Sequence, residues 1–501
     1  MIRRTTSFAL AGALALACQG LAQAPNTAPS KFSREQLVED FRVARHALEE
    51  GHSGIYRYTK KADLDRVFDA AERSLDRPMD AWELYRVLAP TVAAIKCGHT
   101  GLGLPKELQE ALNTTVPLLP LQVKVLGGTP YVFRDFSSPA GSLAGLEIRS
   151  VNGVKAARIV ATMMAATPGD GDVVTSRERH ISDWRFAGNL VRLLAMKSPY
   201  ELELRDSSAN KTVKATLAGV ELPKLLEASK SRYPQDQRIE DSGDLDFLDD
   251  GRVARMTVRG FFGFADAEHK EDLRQFFKES FAAMQAKGTK ALILDVRGNG
   301  GGEDALGRIL LSYLLDAPFK YYDDLILNKV SYDLQKYAEG WEPIPEKLVE
   351  KRADGLYHAV GHPNWGIQQP SSPGFGGKVV ILINGDSFST TSEFLSQVHF
   401  HHRATFVGEE SGGGYYGNTS GVDANVILPN TKLQVQIPLL TYYVAVSGYA
   451  AAAHGVIPDH PVHPTIADLL AGKDPAMETA LSLAREGAAP QGVAKGPTPP
   501  Q

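Results

Sequence analysis

The sequence is poor in cysteine, with only Cys18 and Cys97 among its 501 residues. Cys18 lies in an N-terminal segment that has the three parts of a secretory signal: a pair of arginines, an apolar run, and small residues ending in GLAQA. Cleavage near Gln23, predicted from this pattern, removes residues 1–22 as a signal peptide and leaves Cys97 alone. An intrachain disulfide is therefore not expected, and Cys97 is interpreted as a small buried residue.

The sequence also lacks an apolar run long enough to cross a bilayer as a helix, which takes about 20 residues. The apolar segment at 8–17 is therefore predicted to direct export, to the periplasm or the medium. An uncleaved N-terminal helix and a lipid anchor through Cys18 are the alternatives, although Ala15 and Leu16 fit the usual lipid-anchor pattern poorly. The formal net charge is -5, without an excess of basic residues, so nucleic acid is not expected as a partner.

Fingerprints of metal sites and nucleotide sites are missing as well. The sequence contains no HExxH motif and no CxxC pair, and its most glycine-rich segment fits neither GxGxxG nor GxxxxGK[ST]. His399, His401 and His402 lie close together, but no companion carboxylate is evident, so a polar helix end is the interpretation. No metal and no cofactor are predicted.

Three regions of different patterning follow the signal segment. Residues 31–105 show apolar residues at helical spacing, with Asp80 placed to begin a helix, and end in the turn CGHTGLGLP, which carries His99. Residues 115–219 form short β-rich runs, of which AGLEIRSVNGVKAARIV resembles half of a PDZ domain. PDZ domains bind peptides by adding them as a strand to a sheet edge. An ordinary β-rich insert is the alternative.

Residues 220–470 are predicted to form the core, because strands and helices alternate there from about Arg252. This alternation favours an α/β fold with strands buried on both faces. A long polar insert between Asp316 and Pro373 is expected to form a lid or a wall of a substrate channel. Residues 487–501 are too rich in proline and glycine to pack and are predicted to be a disordered tail.

Two segments of this core place special residues where a strand gives way to a turn. In ALILDVRGNGGG, the glycines from Gly300 are expected to turn backbone N–H groups toward an anionic oxygen; a phosphate cradle or a purely structural turn are the alternatives. In KVVILINGDSFSTTSEFLS, Ser389 is expected at a helix N-terminus, where the positive potential favours a nucleophile attacking a carbonyl. Ser389 could equally cap the helix, since Thr390-x-x-Glu393 is a capping-box pattern.

The order of these motifs resembles the tail-specific, or C-terminal-processing, serine peptidases. The resemblance runs through the GHT turn, the PDZ-like insert, DVRGNGGG, INGDSFSTTSE, VGEESGGG and HGVIPDHPV. It implies a core of the crotonase and Clp type and hydrolysis of exposed or unstructured polypeptides. It also implies that Ser389 is the nucleophile, that Thr390 supplies one oxyanion N–H, and that Gly300 or Gly301 supplies the other.

Members of this family differ in the residue that acts as the general base. Bacterial processing members use a lysine about 25 residues beyond the serine, but that position is Gly414 here, and no lysine occurs between Lys378 and Lys432. His99 matches the histidine of the tricorn-like members, which implies a Ser389–His99 pair. A histidine base is usually oriented by an acid.

The acid that would orient His99 is the least determined member of the site. The glutamate of the tricorn-like members is absent, with Ala452 near its place. Glu410 is the first candidate and Asp459 the second, although either side chain could instead have a purely structural role. Two other functions also remain open for the whole chain. One is a non-catalytic ligand-binding protein, since retinoid-binding proteins share this fold, and the other is an acyl-transfer enzyme.

Overall fold

We describe the fold from a computed structural model, which covers residues 30–138, 142–236, 242–263, 272–340 and 344–488. The predicted signal peptide, with Cys18, and residues 489–501 of the predicted tail lie outside these ranges. In the part of the chain that the structure covers, no helix has the length and apolar character needed to cross a membrane.

Helices form the first part of the chain that the structure describes, and capping boxes begin two of them. The side chains of Ser33 and Asp80 accept hydrogen bonds from the backbone N–H groups of Gln36 and Glu83, whose side chains bond back to the caps. These capping boxes satisfy N–H groups that have no partner inside the helix. The prediction that Asp80 begins a helix is confirmed. The elements are α1 (Arg34–Gly51), α2 (Lys61–Arg73), α3 (Ala81–Ala93), β1 (Gly101–Gly103), α4 (Lys106–Thr114) and β2 (Pro117–Leu118).

An antiparallel sheet follows in the order β3-β4-β5-β7-β8, with β6 beside β5. Strand β3 buries every second residue, as expected for a sheet with one packed face. Its outer edge is occupied by this chain's own residues: Asp183 N donates to Val123 O, and Val125 N donates to Ser182 Oγ. The elements are β3 (Leu121–Leu126), β4 (Thr129–Asp135), β5 (Glu147–Val151), β6 (Val154–Lys155), α5 (Ala156–Ala165), α6 (Thr175–His180), α7 (Trp184–Arg192), β7 (Tyr200–Asp206), β8 (Lys211–Leu217), β9 (Val220–Glu221) and α8 (Leu222–Arg232).

The core begins with alternating strands and helices and is then interrupted by the predicted insert. The first half of the core comprises β10 (Gly243–Leu248), β11 (Val253–Val258), α9 (Leu273–Lys287), β12 (Ala291–Asp295) and α10 (Asp304–Leu314). The insert holds the short strands β13 (Phe319–Lys320), β14 (Tyr322–Leu327), β15 (Ala338–Glu339), β16 (Val349–Lys351), β17 (Tyr357–Ala359) and β18 (Ile367–Gln368).

The second half of the core completes a sheet in the order β10-β11-β12-β19-β20-β24, in which all pairs except β10–β11 are parallel. Its elements are β19 (Lys378–Ile383), α11 (Thr390–Phe400), β20 (Thr405–Gly408), β21 (Asp423–Ile427), β22 (Gln434–Pro438), β23 (Leu440–Val444), β24 (His460–Pro461), α12 (Ile466–Ala471) and α13 (Pro475–Ala488).

Both faces of this central sheet are covered. Every residue of β12 is buried, because α13 packs on one face through alanines such as Ala480, while α10 and α11 cover the other through Leu310 and Phe394. Parallel sheets covered on both faces are typical of α/β proteins. The predicted α/β class is confirmed.

Outside the central sheet, the insert does not form a separate irregular lid. Strand β14 pairs with β23, and β15 pairs with β21, so the insert is built into two small antiparallel sheets. The second of these sheets also contains β1, which pairs with β22. The pairing brings the turn that carries His99 next to the core.

Candidate active site

Ser389 lies where β19 gives way to α11. It occupies the N-cap position of α11 with φ 57° and ψ -128°, and its side chain makes no capping hydrogen bond. A positive φ is uncommon for a residue with a side chain and is typical of strained functional positions. The interpretation of Ser389 as a helix cap is therefore wrong. The backbone turn directs the serine hydroxyl away from the helix.

The hydroxyl of Ser389 meets His99, which comes from the turn between α3 and β1. His99 Nε2 lies 3.0 Å from Ser389 Oγ, although the two residues are 290 positions apart in the sequence. The imidazole stacks on the ring of Phe388, with the ring centres 4.6 Å apart and the planes at 26°. The neighbour of the serine thus fixes the orientation of the histidine.

The second ring nitrogen of His99 faces away from Ser389 and lacks a partner among the described residues. Its Nδ1 is buried and makes no hydrogen bond within the part of the chain that the structure describes. Burial lowers the pKa of His99 from its usual value, and the carboxylates of Asp170 and Asp423 oppose that shift. At neutral pH the ring is therefore uncharged and able to accept a proton from Ser389.

The glycine turn after β12 lies directly against Ser389. Gly301 has φ 100°, and a Cβ at this position would be 2.6 Å from Ser389 Cβ and 3.0 Å from Thr390 N. Only glycine fits such an approach without moving the serine. The turn is held by Asn299, whose Nδ2 donates to Val258 O and whose carbonyl accepts from Phe388 N.

The N–H groups predicted to bind an oxyanion differ in their availability. Gly301 N donates to Asn299 Oδ1 at 3.0 Å, so it is already engaged. The N–H groups of Gly300 and Thr390 have no acceptor within the described ranges. Of the two glycines that the sequence left open, the arrangement favours Gly300 as a donor and assigns Gly301 to packing against the serine.

The acid candidates from the sequence do not reach His99. Glu410 Oε1 instead accepts hydrogen bonds from His454 Nδ1 at 2.9 Å and from Gly455 N at 3.0 Å. Asp459 Oδ2 accepts from Phe406 N at 2.8 Å. The expectation that Glu410 orients His99 is therefore wrong, because its side chain anchors the segment around Gly455.

A buried carboxyl group that the sequence did not single out for chemistry lies one turn beyond Ser389. Glu393 accepts from Asn418 Nδ2 at 2.8 Å, and its Oε2 lies 2.6 Å from Tyr322 Oη. Tyr322 Oη also lies 3.1 Å from Asp304 Oδ2. Burial, together with the charge of Asp304, raises the pKa of Glu393 to about 7. The tyrosine has one proton to donate, so a protonated Glu393 allows it to serve both carboxyl groups.

Replacing Glu393 with glutamine is expected to remove a pH dependence of stability. In the folded wild type, a carboxyl group with a pKa of about 7, against an ordinary value near 4.5, makes folding less favourable as the pH rises from 4.5 to 7. The cost reaches about 3 kcal/mol, since one pKa unit corresponds to about 1.4 kcal/mol. An amide mimics the protonated carboxyl, so the E393Q variant should gain stability over the wild type across this range.

Urea unfolding at pH 4.5 to 8 measures this gain. Glu279, which is exposed and lies on α9, provides the matched control, and E279Q is expected to follow the wild type. Wild-type and E393Q free energies of unfolding that run parallel over the whole range would contradict the proposed protonation.

Two groups of three side chains within the described ranges bring atoms that metals bind within 4.8 Å of one another: Cys97, His99 and Asp170, and His46, Glu50 and Asp333. In the first group, both oxygens of Asp170 already accept backbone N–H groups. In the second, Glu50 already accepts from Lys329 Nζ and two backbone N–H groups. A cation would have to displace these bonds, and we assign a metal to neither group.

Other sequence interpretations have clear places in the structure. Cys97 is buried, as predicted, and burial raises the pKa of its thiol to about 12. His399 Nδ1 lies 2.9 Å from the hydroxyl of Tyr415, whose ring stacks on Tyr449. His399 therefore belongs to an aromatic cluster at the end of α11, and Tyr415 is buried in this cluster.

Comparisons with known proteins agree with this architecture. Residues 253–462 match the model of Peptidase family S41. The structure of mature CPAF complexed with lactacystin is 15% identical, covering 90% of this chain and 98% of that chain with a TM-score of 0.62. A serine-to-alanine mutant of CPAF is 14% identical, covering 91% and 97%, with a TM-score of 0.60. At this identity the likeness shows a shared fold. A search of curated proteins finds no match to this chain.

The fold and the family match together define a serine-type peptidase, a hydrolase that acts on polypeptides. The chain carries a peptidase domain of family S41, and the resemblance to the C-terminal-processing peptidases that its motifs suggested is confirmed.

Proposed function

We propose that the protein is an exported endopeptidase that cleaves polypeptides with Ser389 as nucleophile and His99 as general base. The contact of 3.0 Å between His99 Nε2 and Ser389 Oγ carries this proposal. A general base must lie within hydrogen-bond reach of the proton that it removes, and this pair meets that condition. Export rests on the N-terminal sequence pattern alone.

The reaction begins when His99 takes the proton of Ser389 and the serine oxygen attacks the peptide carbonyl. The tetrahedral oxyanion forms next to the free N–H groups of Thr390 and Gly300, which donate hydrogen bonds to it. The imidazolium then gives its proton to the leaving amine, which departs and leaves an acyl-enzyme on Ser389. Water, deprotonated by His99, releases the second product and restores the serine.

The helix geometry supports this sequence of steps. Ser389 sits at the N-terminus of α11, where the unpaired N–H groups of the first turn and the helix dipole favour negative charge. The serine is held in its positive-φ conformation before the substrate arrives, so little rearrangement is needed during the reaction.

The PDZ-like docking role is also part of the proposal, with one structural condition. Because Ser182 and Asp183 bond to the outer edge of β3, a peptide strand can add there only after these residues move away. The neighbouring cleft, of about 510 Å³, lies between the β3–β4 turn and the segment from His463 to Ile466.

Labelling with a fluorophosphonate probe tests the proposed nucleophile. The wild type is expected to be labelled and S389A to remain unlabelled. Ser396, two turns further along α11, is the matched control, because its hydroxyl donates only to Ser392 O and alanine is a good helix former. S396A should be labelled like the wild type. A wild type that is not labelled would instead favour a non-catalytic binding protein, and an S389A variant that is labelled equally would show that Ser389 is not the nucleophile.

A further inference from the structure

Asp170 connects the two loops that carry the proposed active site. Its Oδ1 accepts a hydrogen bond of 2.7 Å from the backbone N–H of Gly98, the residue before His99. Its Oδ2 accepts one of 3.1 Å from Gly414 N, in the glycine loop that follows the nucleophile helix. The residue is 1% exposed and lies between α5 and α6. One carboxylate therefore fixes the histidine turn relative to the serine side of the site.

The carboxylate of Asp170 is buried without a basic partner among the residues that the structure describes. Within the described ranges, no lysine or arginine nitrogen forms an ion pair with it, whereas Asp172, two residues further on, is exposed and bonds to Lys96 Nζ at 2.6 Å. One Asp170 oxygen lies within 4.8 Å of a ring nitrogen of His99. A buried carboxylate without a counter-ion is costly, and the cost falls when a positive charge forms nearby. During the proposed reaction, His99 acquires that charge.

The other groups near His99 do not supply this compensation. His52 is buried and uncharged, since burial lowers its pKa to about 4. The thiol of Cys97 is neutral at physiological pH, and burial likewise raises the pKa of Tyr58. Asp423 is exposed, so water screens its charge. Among these neighbours, only Asp170 places a buried negative charge beside the imidazole.

We propose that Asp170 is the positioning residue for His99: it holds the turn that carries the imidazole and stabilises the imidazolium by its charge. This role replaces the acid that a Ser–His–acid triad places on Nδ1, since no described residue forms a hydrogen bond with His99 Nδ1. Asp170 acts through His99 and does not touch the substrate. The inference rests on the proposed function, because it requires His99 to act as the base.

The charge of Asp170 can be removed with little change of shape. D170N keeps one oxygen acceptor, and D170S keeps a hydroxyl acceptor for one backbone N–H. Each variant that is folded tests the proposal. D172N is the matched control, because it removes a carboxylate from the same loop that is exposed. The measurement is kcat/KM against pH on a peptide substrate, with thermal unfolding recorded for each variant.

Removing the charge is expected to shift the acid limb of the pH profile to lower pH. Without the carboxylate, protonation of His99 is less favourable, and an opposite charge at this distance typically changes a pKa by about 1 to 3 units. The same loss reduces the electrostatic stabilisation of the imidazolium in the transition state, so kcat is expected to fall by about 10- to 1000-fold. D172N should leave both the limb and kcat close to those of the wild type.

A neutral variant that is slower but keeps the acid limb of the wild type would overturn the proposal, because it would show that Asp170 only holds the loops. An acid limb that moves equally in D172N would also overturn it. These results are distinguishable from failure of the proposed function, in which the wild type is not labelled by fluorophosphonate at all.

Discussion

Replacing Ser389 with alanine is expected to lower kcat by about 10⁵- to 10⁶-fold while the protein remains folded. The variant removes the atom that is proposed to form the acyl-enzyme, and water alone cannot use the proposed base and oxyanion donors in the same geometry. Knocking out the serine of a Ser–His peptidase costs about 2 × 10⁶ in kcat in a well-studied case, which sets the scale. Steady-state hydrolysis of an unfolded polypeptide measures the loss.

The fold of this variant should be preserved, because the serine hydroxyl bonds only to His99 and not to the backbone of α11. Alanine, however, retains the strained conformation with φ 57°. S389G is therefore expected to be more stable than S389A by about 1 kcal/mol, since glycine adopts positive φ without a steric penalty. An S389A variant that keeps more than a few per cent of the wild-type kcat would show that another residue is the nucleophile.

Replacing His99 with glutamine is expected to lower kcat by about 10³- to 10⁶-fold. Glutamine approximates the size of the imidazole and keeps a polar group near Ser389, but it has no basic nitrogen with which to remove the serine proton. Loss of the base alone in a Ser–His peptidase is nearly as damaging as loss of the serine. Because the remaining rate depends on hydroxide, it is expected to rise with pH where the wild type has reached its plateau.

Single-turnover measurements with an activated ester separate this effect from substrate binding. H99Q should slow acylation and leave the substrate affinity largely unchanged. His460, which is exposed on β24, is the matched control, and H460Q should behave like the wild type. If H99Q acylates at the wild-type rate, another group removes the serine proton and the proposed pair is incorrect.

The parts of the site that the sequence predicted lie at ends of regular elements. Ser389 follows an apolar strand and begins a helix, and the glycines follow another strand, so both are visible in a linear pattern. The missing lysine and the GHT turn together indicate His99 as the base. The structure adds that β1, which begins two residues after His99, pairs with β22 and so delivers the histidine to the core.

The residue proposed to position His99 could not be found in the same way. Glu410 follows the strand next to the nucleophile, but adjacency in sequence does not fix the direction of a side chain, and it points to His454. Asp170 lies in an ordinary Pro-Gly-Asp loop, more than two hundred positions before Ser389. Only the fold brings it to His99. The hydrogen bonds that hold it come from the backbone of Gly98 and Gly414, and backbone donors cannot be recognised from the residue type.

The small antiparallel sheets were also missed. Strand β21 buries every second residue, but its partner β15, like β14, which pairs with β23, lies in the insert, whose polar composition favours a lid. Non-local pairing of short strands depends on tertiary context more than on local propensity. The boundaries of the central α/β elements, by contrast, follow from long apolar runs in the sequence, because the strands of a sheet that is covered on both faces must be apolar.

The short pairing of β1 with β22 has a consequence for when the enzyme becomes active. The histidine is synthesised 290 residues before the serine, and β22 is synthesised later still. A chain that is still being synthesised thus holds only part of the proposed catalytic apparatus. Hydrolytic activity is therefore expected to appear only after β22 has docked on β1 and has brought His99 to Ser389.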